Sequence, residues 1–198
     1  MSPQRILIVY DTSHGQTAKI AHSIADLLSS GGHVVTIMDV DLVRSDIAPR
    51  SYDGVIIGGS VIKGRHQRSL YRFVNTHVAA LSAMRSAFFS VSGSAAGRTD
   101  KEKADARRCL DDFLEETGWH PTHTAMFGGA MAFTKYNPLL RWMMKRISAK
   151  SGGPTDTSRD HELTDWTQVE RFAEWFARRS RLGPARERVG ERGASAIT

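Results

Sequence analysis

The segment Asp11-Thr12-Ser13-His14-Gly15-Gln16-Thr17 follows directly on a β-branched apolar run, Arg5 to Tyr10 (RILIVY), and precedes a helical pattern. A buried strand turning into a helix is where an open α/β sheet places phosphate. The loop has neither the G-x-G-x-x-G spacing of a dinucleotide fingerprint nor the G-x-x-x-x-G-K-S/T of a nucleoside triphosphate loop, since it holds one glycine and no lysine. What it does hold are the hydroxyls of Thr12, Ser13 and Thr17, beside the backbone N–H groups that open the next helix. Together these form a neutral cradle for a phosphate ester. An ordinary solvated loop with a Ser/Thr cap has the same composition, so two further loops matter.

The third apolar run ends in Gly58-Gly59-Ser60-Val61-Ile62-Lys63-Gly64, and the fourth in Ser90-Val91-Ser92-Gly93-Ser94-Ala95-Ala96-Gly97. Both are built of small residues at carboxyl ends of strands, where a flat ring can lie against backbone and meet N–H donors. Three such loops side by side favour a bound flavin over a bare sheet edge. No metal site is expected, because His120 and His123 lack a third ligand.

The elements that must position these loops are legible as period. Short apolar runs at Arg5 to Tyr10, Val34 to Asp39, Tyr52 to Gly58, Ala87 to Val91 and Thr124 to Phe127 are apolar on both faces, as central parallel strands are. Between them lie stripes of period 3.6: Ile20, Ala21, Ile24, Leu27 and Leu28, stopped by Gly31-Gly32; then Leu70, Phe73, Val74, His77, Val78 and Leu81. A third stripe uses Ala106, Cys109, Leu110, Phe113 and Leu114, which makes the single cysteine a buried structural thiol. A last helix opens at Asp165, with Gln168 placed for a capping box, and turns Trp166, Val169, Phe172, Ala173 and Phe176 inward. The alternation of strand and helix predicts an α/β fold, a doubly wound five-stranded parallel sheet with helices on both faces. One domain is expected over 1–182, with an insertion at about 133–160 after or within the fifth strand, and a flexible basic tail over 183–198.

With 198 residues, 40% hydrophobic and 24% charged, the chain has enough apolar content for its own core, and a disulfide scaffold is excluded by its single cysteine. The Met-Ser-Pro-Gln-Arg start leads into too short an apolar run for a signal peptide, so a cytoplasmic, reducing location is expected. The net charge of +6 is uneven. Phe133 to Lys150 holds five cations and no acid, and Arg178 to Thr198 holds six Arg against two Glu. Clustering of this kind, without interleaved aromatics on a recognition helix, argues against nucleic acid. Within the insertion, Leu139, Leu140, Met143, Met144 and Ile147 are expected on one helical face with Trp142 at its border, beside Lys145 and Arg146. That is the pattern of a helix lying in an anionic membrane interface, and equally of an amphipathic helix packed on the sheet.

Over roughly residues 5 to 180 the sequence resembles the flavodoxin-like superfamily. More closely it is similar to the menaquinone-dependent protoporphyrinogen oxidase (protoporphyrinogen IX dehydrogenase) family. The residues that carry the closer match are Asp11 to Thr17, Tyr52-Asp53 with Val55 to Ser60, Ser86 to Val91, and above all Ser151-Gly152-Gly153, Thr155-Asp156-Thr157 and Thr164-Asp165-Trp166. The resemblance implies a flavodoxin-like fold, an FMN cofactor, and oxidation of protoporphyrinogen IX with electrons passed to a membrane quinone. It implies that Thr12, Ser13, His14, Gly15, Gln16 and Thr17 hold the FMN phosphate. Around the ring it implies Ser60, Val61, Lys63 and Gly64 on one side, and Ser92, Gly93, Ser94 and Gly97 on the other. Because the substrate carries two propionates, Lys63, Arg65, His66 and Arg68 become candidates to bind it. A membrane quinone and substrate give the insertion a reason to dock, through Leu139, Leu140, Trp142, Met143, Lys145 and Arg146, on the inner face of the cell membrane.

The sequence departs from the resemblance at Ile62-Lys63, where an aromatic often stacks on the flavin. Two other readings share the fold: an electron-carrier flavodoxin, whose usual acidity this basic chain lacks, and a flavin-dependent NAD(P)H:quinone reductase.

Overall fold

Unbroken β-branched and aromatic runs form a central parallel sheet, because only strands covered on both faces can bury side chains in both directions. In the computed structural model, which describes residues 3–42, 47–150 and 152–179 except for the side chains at 140, 147, 150 and 179, the first strand is β1 (Arg5–Tyr10). It is followed by α1 (Gln16–Ser30), β2 (Val34–Asp39) and β3 (Gly54–Ile62). Next come β4 (Arg65–His66), α2 (Arg68–Ser82), β5 (Ser86–Ser92), α3 (Asp100–Thr117) and β6 (His123–Gly128). The chain then runs through β7 (Ala130–Met131), α4 (Pro138–Lys150) and β8 (His161–Glu162) to α5 (Trp166–Arg179).

The parallel strands lie in the order β2-β1-β3-β5-β6, the doubly wound arrangement expected from the sequence. Strand order reverses beside β1, and there the loops after β1 and β3 meet. On one face, Ile6, Ile8, Ile56 and Phe89 pack against Ile20 and Ile24 of α1 and Phe172 and Phe176 of α5. On the other, Leu7, Val9, Ile57 and Phe88 pack against Leu70 and Val74 of α2 and Leu110 and Phe113 of α3. Phe88 and Phe113 stack with ring centroids 4.8 Å apart, a contact of about 0.5–1.5 kcal/mol beyond the area it buries.

Several local expectations change. The third strand runs on to Ile62 and turns back through Lys63-Gly64 into β4, which pairs antiparallel with it. Both turn residues have positive φ, 51° and 79°, as a two-residue type I′ hairpin requires. Cys109 is half-buried at the edge of its stripe, not enclosed by it, and its thiol donates to the Gly64 carbonyl at 3.2 Å. His77 is likewise half-buried, tilted against Phe73. Asp165 caps α5 through the N–H of Thr167 at 3.0 Å, but the Gln168 amide donates to the Asp165 carboxylate and no bond from the Asp165 N–H to the Gln168 side chain closes the box.

The insertion leaves the sheet after β6 and is closed at its base by the short ribbon of β7 and β8. Pro138 starts α4, where its missing N–H is no loss. The apolar side chains of α4 that the structure describes differ in environment. Met144 is half-buried and turned to a cavity, while Leu139, Trp142 and Met143 are 75%, 57% and 45% exposed. The side chain of Leu140 and the tail expected over 183–198 lie outside the described residues. Among the described residues no helix is long and apolar enough to cross a membrane.

Candidate functional site

The first loop is shaped by its own hydroxyls. Gly15, at φ 95°, is the residue that turns the chain into α1, and its N–H donates to Thr12 Oγ1 at 3.0 Å. Thr17 is buried beneath the first turn of the helix, while Ser13 and His14 are exposed at the tip. Gln16 turns its amide away to Thr164 Oγ1 at 2.8 Å, so its contribution to the loop is its backbone. No acid stands in the first turn of α1, which leaves the positive end of the helix free for an anion.

Beneath this loop sits a hub that sequence pattern did not single out. Asp11 is 1% exposed at the end of β1, and one of its carboxylate oxygens accepts from Gln67 Nε2. The same amide nitrogen reaches Ser13 Oγ at 2.6 Å and Ser60 Oγ at 3.2 Å, and the two hydroxyls lie 3.3 Å apart. The hub thus ties the loop after β1, the end of β3 and the start of α2 together. The second oxygen, Asp11 Oδ2, is buried without a partner among the described residues. Burial, reinforced by the carboxylates of Asp41 and Asp39, pushes the Asp11 pKa up to about 7 against the hydrogen bond from Gln67. A carboxyl that keeps its proton avoids the cost of a buried unpaired charge.

The other two loops meet across a cavity of about 610 Å³. Val61, Lys63 and Gly64 line one wall, and Ser92, Gly93, Ser94, Ala96 and Gly97 the other. Ser92 Oγ accepts from Ala95 N at 3.1 Å, which folds the second wall back on itself. A Cβ added at Gly64 or Gly93 would meet nothing within 4 Å, so both face open space. Ser60, expected beside the ring, does not line the cavity; it is buried and bonded to Ser13 and Gln67 in the hub.

The insertion forms the remaining side of the cavity, through Met131, Met144, Ser148, Gly152, Gly153 and Pro154. Ser148 is buried and donates to the Pro154 carbonyl at 2.6 Å, while Gly153 N returns to Ser148 O at 2.8 Å. A side chain at 153 would collide with Ser148 Oγ at 2.6 Å, the steric reason for a glycine there. From α3 come Glu102, which also closes a capping box with Thr99, and the preceding Arg98. The SGG motif was visible in the sequence as a family mark, but the place of its Gly152 and Gly153 in the cavity wall was not.

The four cationic candidates separate. Lys63 lines the cavity. Arg65 points to the opposite side of the strand, with bonds of 2.7 and 2.6 Å to the two Glu116 oxygens and its guanidinium over Tyr71. Arg68 lies exposed in the first turn of α2 and away from the cavity. His66 is not a ligand contact: it is 5% exposed, edge-on to Phe88 and Phe113, with Nε2 3.3 Å from Ser90 Oγ. Burial pushes its pKa down to about 4, so it is neutral in the core. The second cavity cation is Arg98, which the sequence reading left out.

A family model for the flavodoxin domain matches residues 7–158. Protoporphyrinogen IX dehydrogenase (quinone) of Escherichia coli strain K12 is 33% identical over 173 residues, covering 87% of this chain and 94% of that protein. The protein of the same name from Leishmania major is 33% identical over 174 residues, covering 87% of this chain and 74% of its own length. Among solved structures, an archaeal flavodoxin superposes with a TM-score of 0.53 over 89% of this chain and 99% of its own, at 16% identity. Oxidised flavodoxin 1 of Bacillus cereus gives 0.54 over 88% and 97%, also at 16% identity. The structural matches show a shared fold; the sequence matches extend through the insertion that shapes the cavity. With its strand order, its three small-residue loops and its SGG-bearing insertion, the chain belongs to the flavodoxin-domain family and, within it, to the protoporphyrinogen IX dehydrogenase family.

Proposed function

We propose that the protein binds FMN and oxidises protoporphyrinogen IX to protoporphyrin IX, passing the electrons to a membrane quinone. The observation that carries this reading is the shared cavity: the two loops suited to a flavin ring and the family's insertion enclose one space of about 610 Å³. The insertion adds a third wall to that cavity, which an electron carrier that offers its flavin edge to other proteins does not need.

FMN fits the residues present. The backbone N–H groups and hydroxyls of Thr12, Ser13 and Thr17, with the backbone of His14, Gly15 and Gln16, suit its phosphate. Val61, Lys63, Gly64 and the Ser92 to Gly97 turn offer the ring backbone donors and small side chains. The bound flavin supplies an acceptor for hydride from the substrate. The chain's part is orientation and exclusion of water. Lys63 and Arg98 face the cavity from opposite walls and suit the two propionates, which a cation holds by charge-assisted hydrogen bonds. Met131 and Met144 add a soft apolar surface for a macrocycle.

In this reading the protein is peripheral on the inner face of the cell membrane. Leu139, Trp142 and Met143 form the exposed apolar strip of α4, with Lys145 and Arg146 beside it and the Arg146 guanidinium 5.1 Å from the Trp142 ring centroid. The test of function is direct. FMN-loaded protein mixed anaerobically with protoporphyrinogen IX bleaches its flavin absorbance, and a quinone restores it. Flavin that stays oxidised with substrate refutes the proposal.

A further inference from the structure

Flavin phosphate loops built of hydroxyls and backbone N–H groups carry no counter-charge of their own, and the loop from Asp11 to Thr17 has none. A cation nevertheless stands on it. Lys135, the last residue of the short helical turn Phe133–Lys135 in the insertion, donates from Nζ to the backbone carbonyl of His14 at 3.0 Å. That hydrogen bond uses a single N–H of the ammonium, and the Asp160 carboxylate lies near enough to feel its charge without a salt bridge within 4 Å among the described residues.

Its placement is built at the level of the backbone. Phe133, at the head of the turn, is completely buried. Asp160 holds the middle of the turn, accepting from Thr134 N at 2.9 Å and Thr134 Oγ1 at 2.8 Å. From the other side Arg141 of α4 donates to the carbonyl oxygens of Phe133 at 2.8 Å and Tyr136 at 3.2 Å. Tyr136 then meets the His14 ring edge-on, with centroids 5.7 Å apart. The far end of the insertion is strapped to the same region: Gln16 to Thr164, which itself donates to Gly128 O at 2.6 Å, and Lys19 to Glu162 at 2.5 Å.

We propose that Lys135 is a cofactor-binding residue supplied by the insertion, which adds a positive charge to the flavin phosphate and so couples cofactor binding to closure of the insertion over the cavity. The inference rests on the FMN reading and concerns the phosphate monoester alone. An ammonium held at the His14 carbonyl stands at the tip of the loop where a dianion is received. Because coupling of two binding events is reciprocal, phosphate that attracts Lys135 also holds the wall carrying Met144 and Ser148 in place. A flavin without phosphate gains nothing from the lysine.

The experiment titrates the full-length apoprotein with FMN and with riboflavin, following flavin fluorescence at low and at high salt. Lys135→Gln weakens FMN binding about tenfold at low ionic strength and less at high, as a partly screened charge does, and leaves riboflavin affinity unchanged. Lys135→Arg restores FMN affinity. Limited proteolysis within 133–162 is slowed by FMN in the wild type more than by riboflavin, and the difference vanishes in Lys135→Gln. Equal FMN affinity in wild type and Lys135→Gln overturns the proposal and leaves the FMN reading standing. Equal losses for FMN and riboflavin overturn it too, showing a lysine that merely props the fold. A wild-type protein that binds neither flavin overturns the FMN reading, and this proposal with it.

Discussion

Replacing Asp11 by asparagine removes one proton-binding site and almost no volume. In the folded protein the carboxyl titrates at about 7, against 3.8 for the unhindered group. The fold therefore binds the proton more tightly than the unfolded chain does. That contribution is fully present below the unfolded value and is lost as pH rises through the folded one. A shift of about three units corresponds to about 4 kcal/mol, lost between about pH 4 and pH 7. The wild-type profile hides it, because neutral His66 has the opposite slope: its folded pKa of about 4 lies below the ordinary 6.5, and stability falls as pH drops through that window. The difference between wild type and Asp11→Asn cancels His66 and every other shared group. Urea unfolding of both apoproteins, at steps between about pH 4.5 and 8.5, measures that difference. Near the acid end the two proteins are expected within about 1 kcal/mol, since the amide still meets Gln67. Above pH 7 the variant is the more stable by several kcal/mol, on the order of the full linkage term. A difference that stays constant across the range refutes the reasoning, for it means that Asp11 ionises in the fold as an ordinary surface carboxylate does.

Other consequences are shorter to state. A methyl group at Gly58 would stand 2.1 Å from Phe89 Cζ in the centre of the sheet, so Gly58→Ala costs about 1–3 kcal/mol or more, and calorimetry reads it as a lower Tm. Arg98→Gln and Lys63→Gln each raise KM for protoporphyrinogen about tenfold and leave KM for its dimethyl ester unchanged, because only the free propionates form charge-assisted bonds; equal effects on both substrates would remove the two cations from substrate binding.

The doubly wound sheet was readable because buried parallel strands and amphipathic helices have different periods, and each period spans enough residues to be distinctive. The three loops were readable because close backbone approach demands small residues. Contacts across the chain were not. Asp11 and Gln67 are separated by 56 positions, and neither type nor spacing announces that one amide joins Asp11, Ser13 and Ser60. His66 illustrates a different limit. Set among Lys63, Arg65 and Arg68 it looked like one of a run of surface cations. Two residues of β4 were enough to alternate it, placing Arg65 outward on Glu116 and His66 inward on Phe88 and Phe113. A two-residue strand carries no periodic signal. The paired ribbon of β7 and β8 was missed for the same reason.

The same distinction bears on the membrane contact proposed for the basic insertion. Composition treats its five cations as one patch, but the structure divides the four whose side chains it describes. Lys135 is fastened to the first loop, away from the apolar strip, and Arg141 to the carbonyl groups of Phe133 and Tyr136. Lys145 and Arg146 remain exposed beside the apolar strip. At about 1 kcal/mol for each basic residue near an anionic surface, these two supply about 2 kcal/mol, too little for lasting attachment. In the proposed contact Leu139, Trp142 and Met143 would supply the rest, at about 1.5–3 kcal/mol for each side chain fully withdrawn from water. Vesicle cosedimentation therefore separates the two contributions. Lys145→Gln with Arg146→Gln weakens binding to anionic vesicles and makes the remainder insensitive to salt. Leu139→Ser with Trp142→Ser abolishes it with flavin affinity intact. Should the apolar pair be dispensable and the charged pair essential, α4 meets its partner as a charged surface, and the interfacial reading of the helix is wrong.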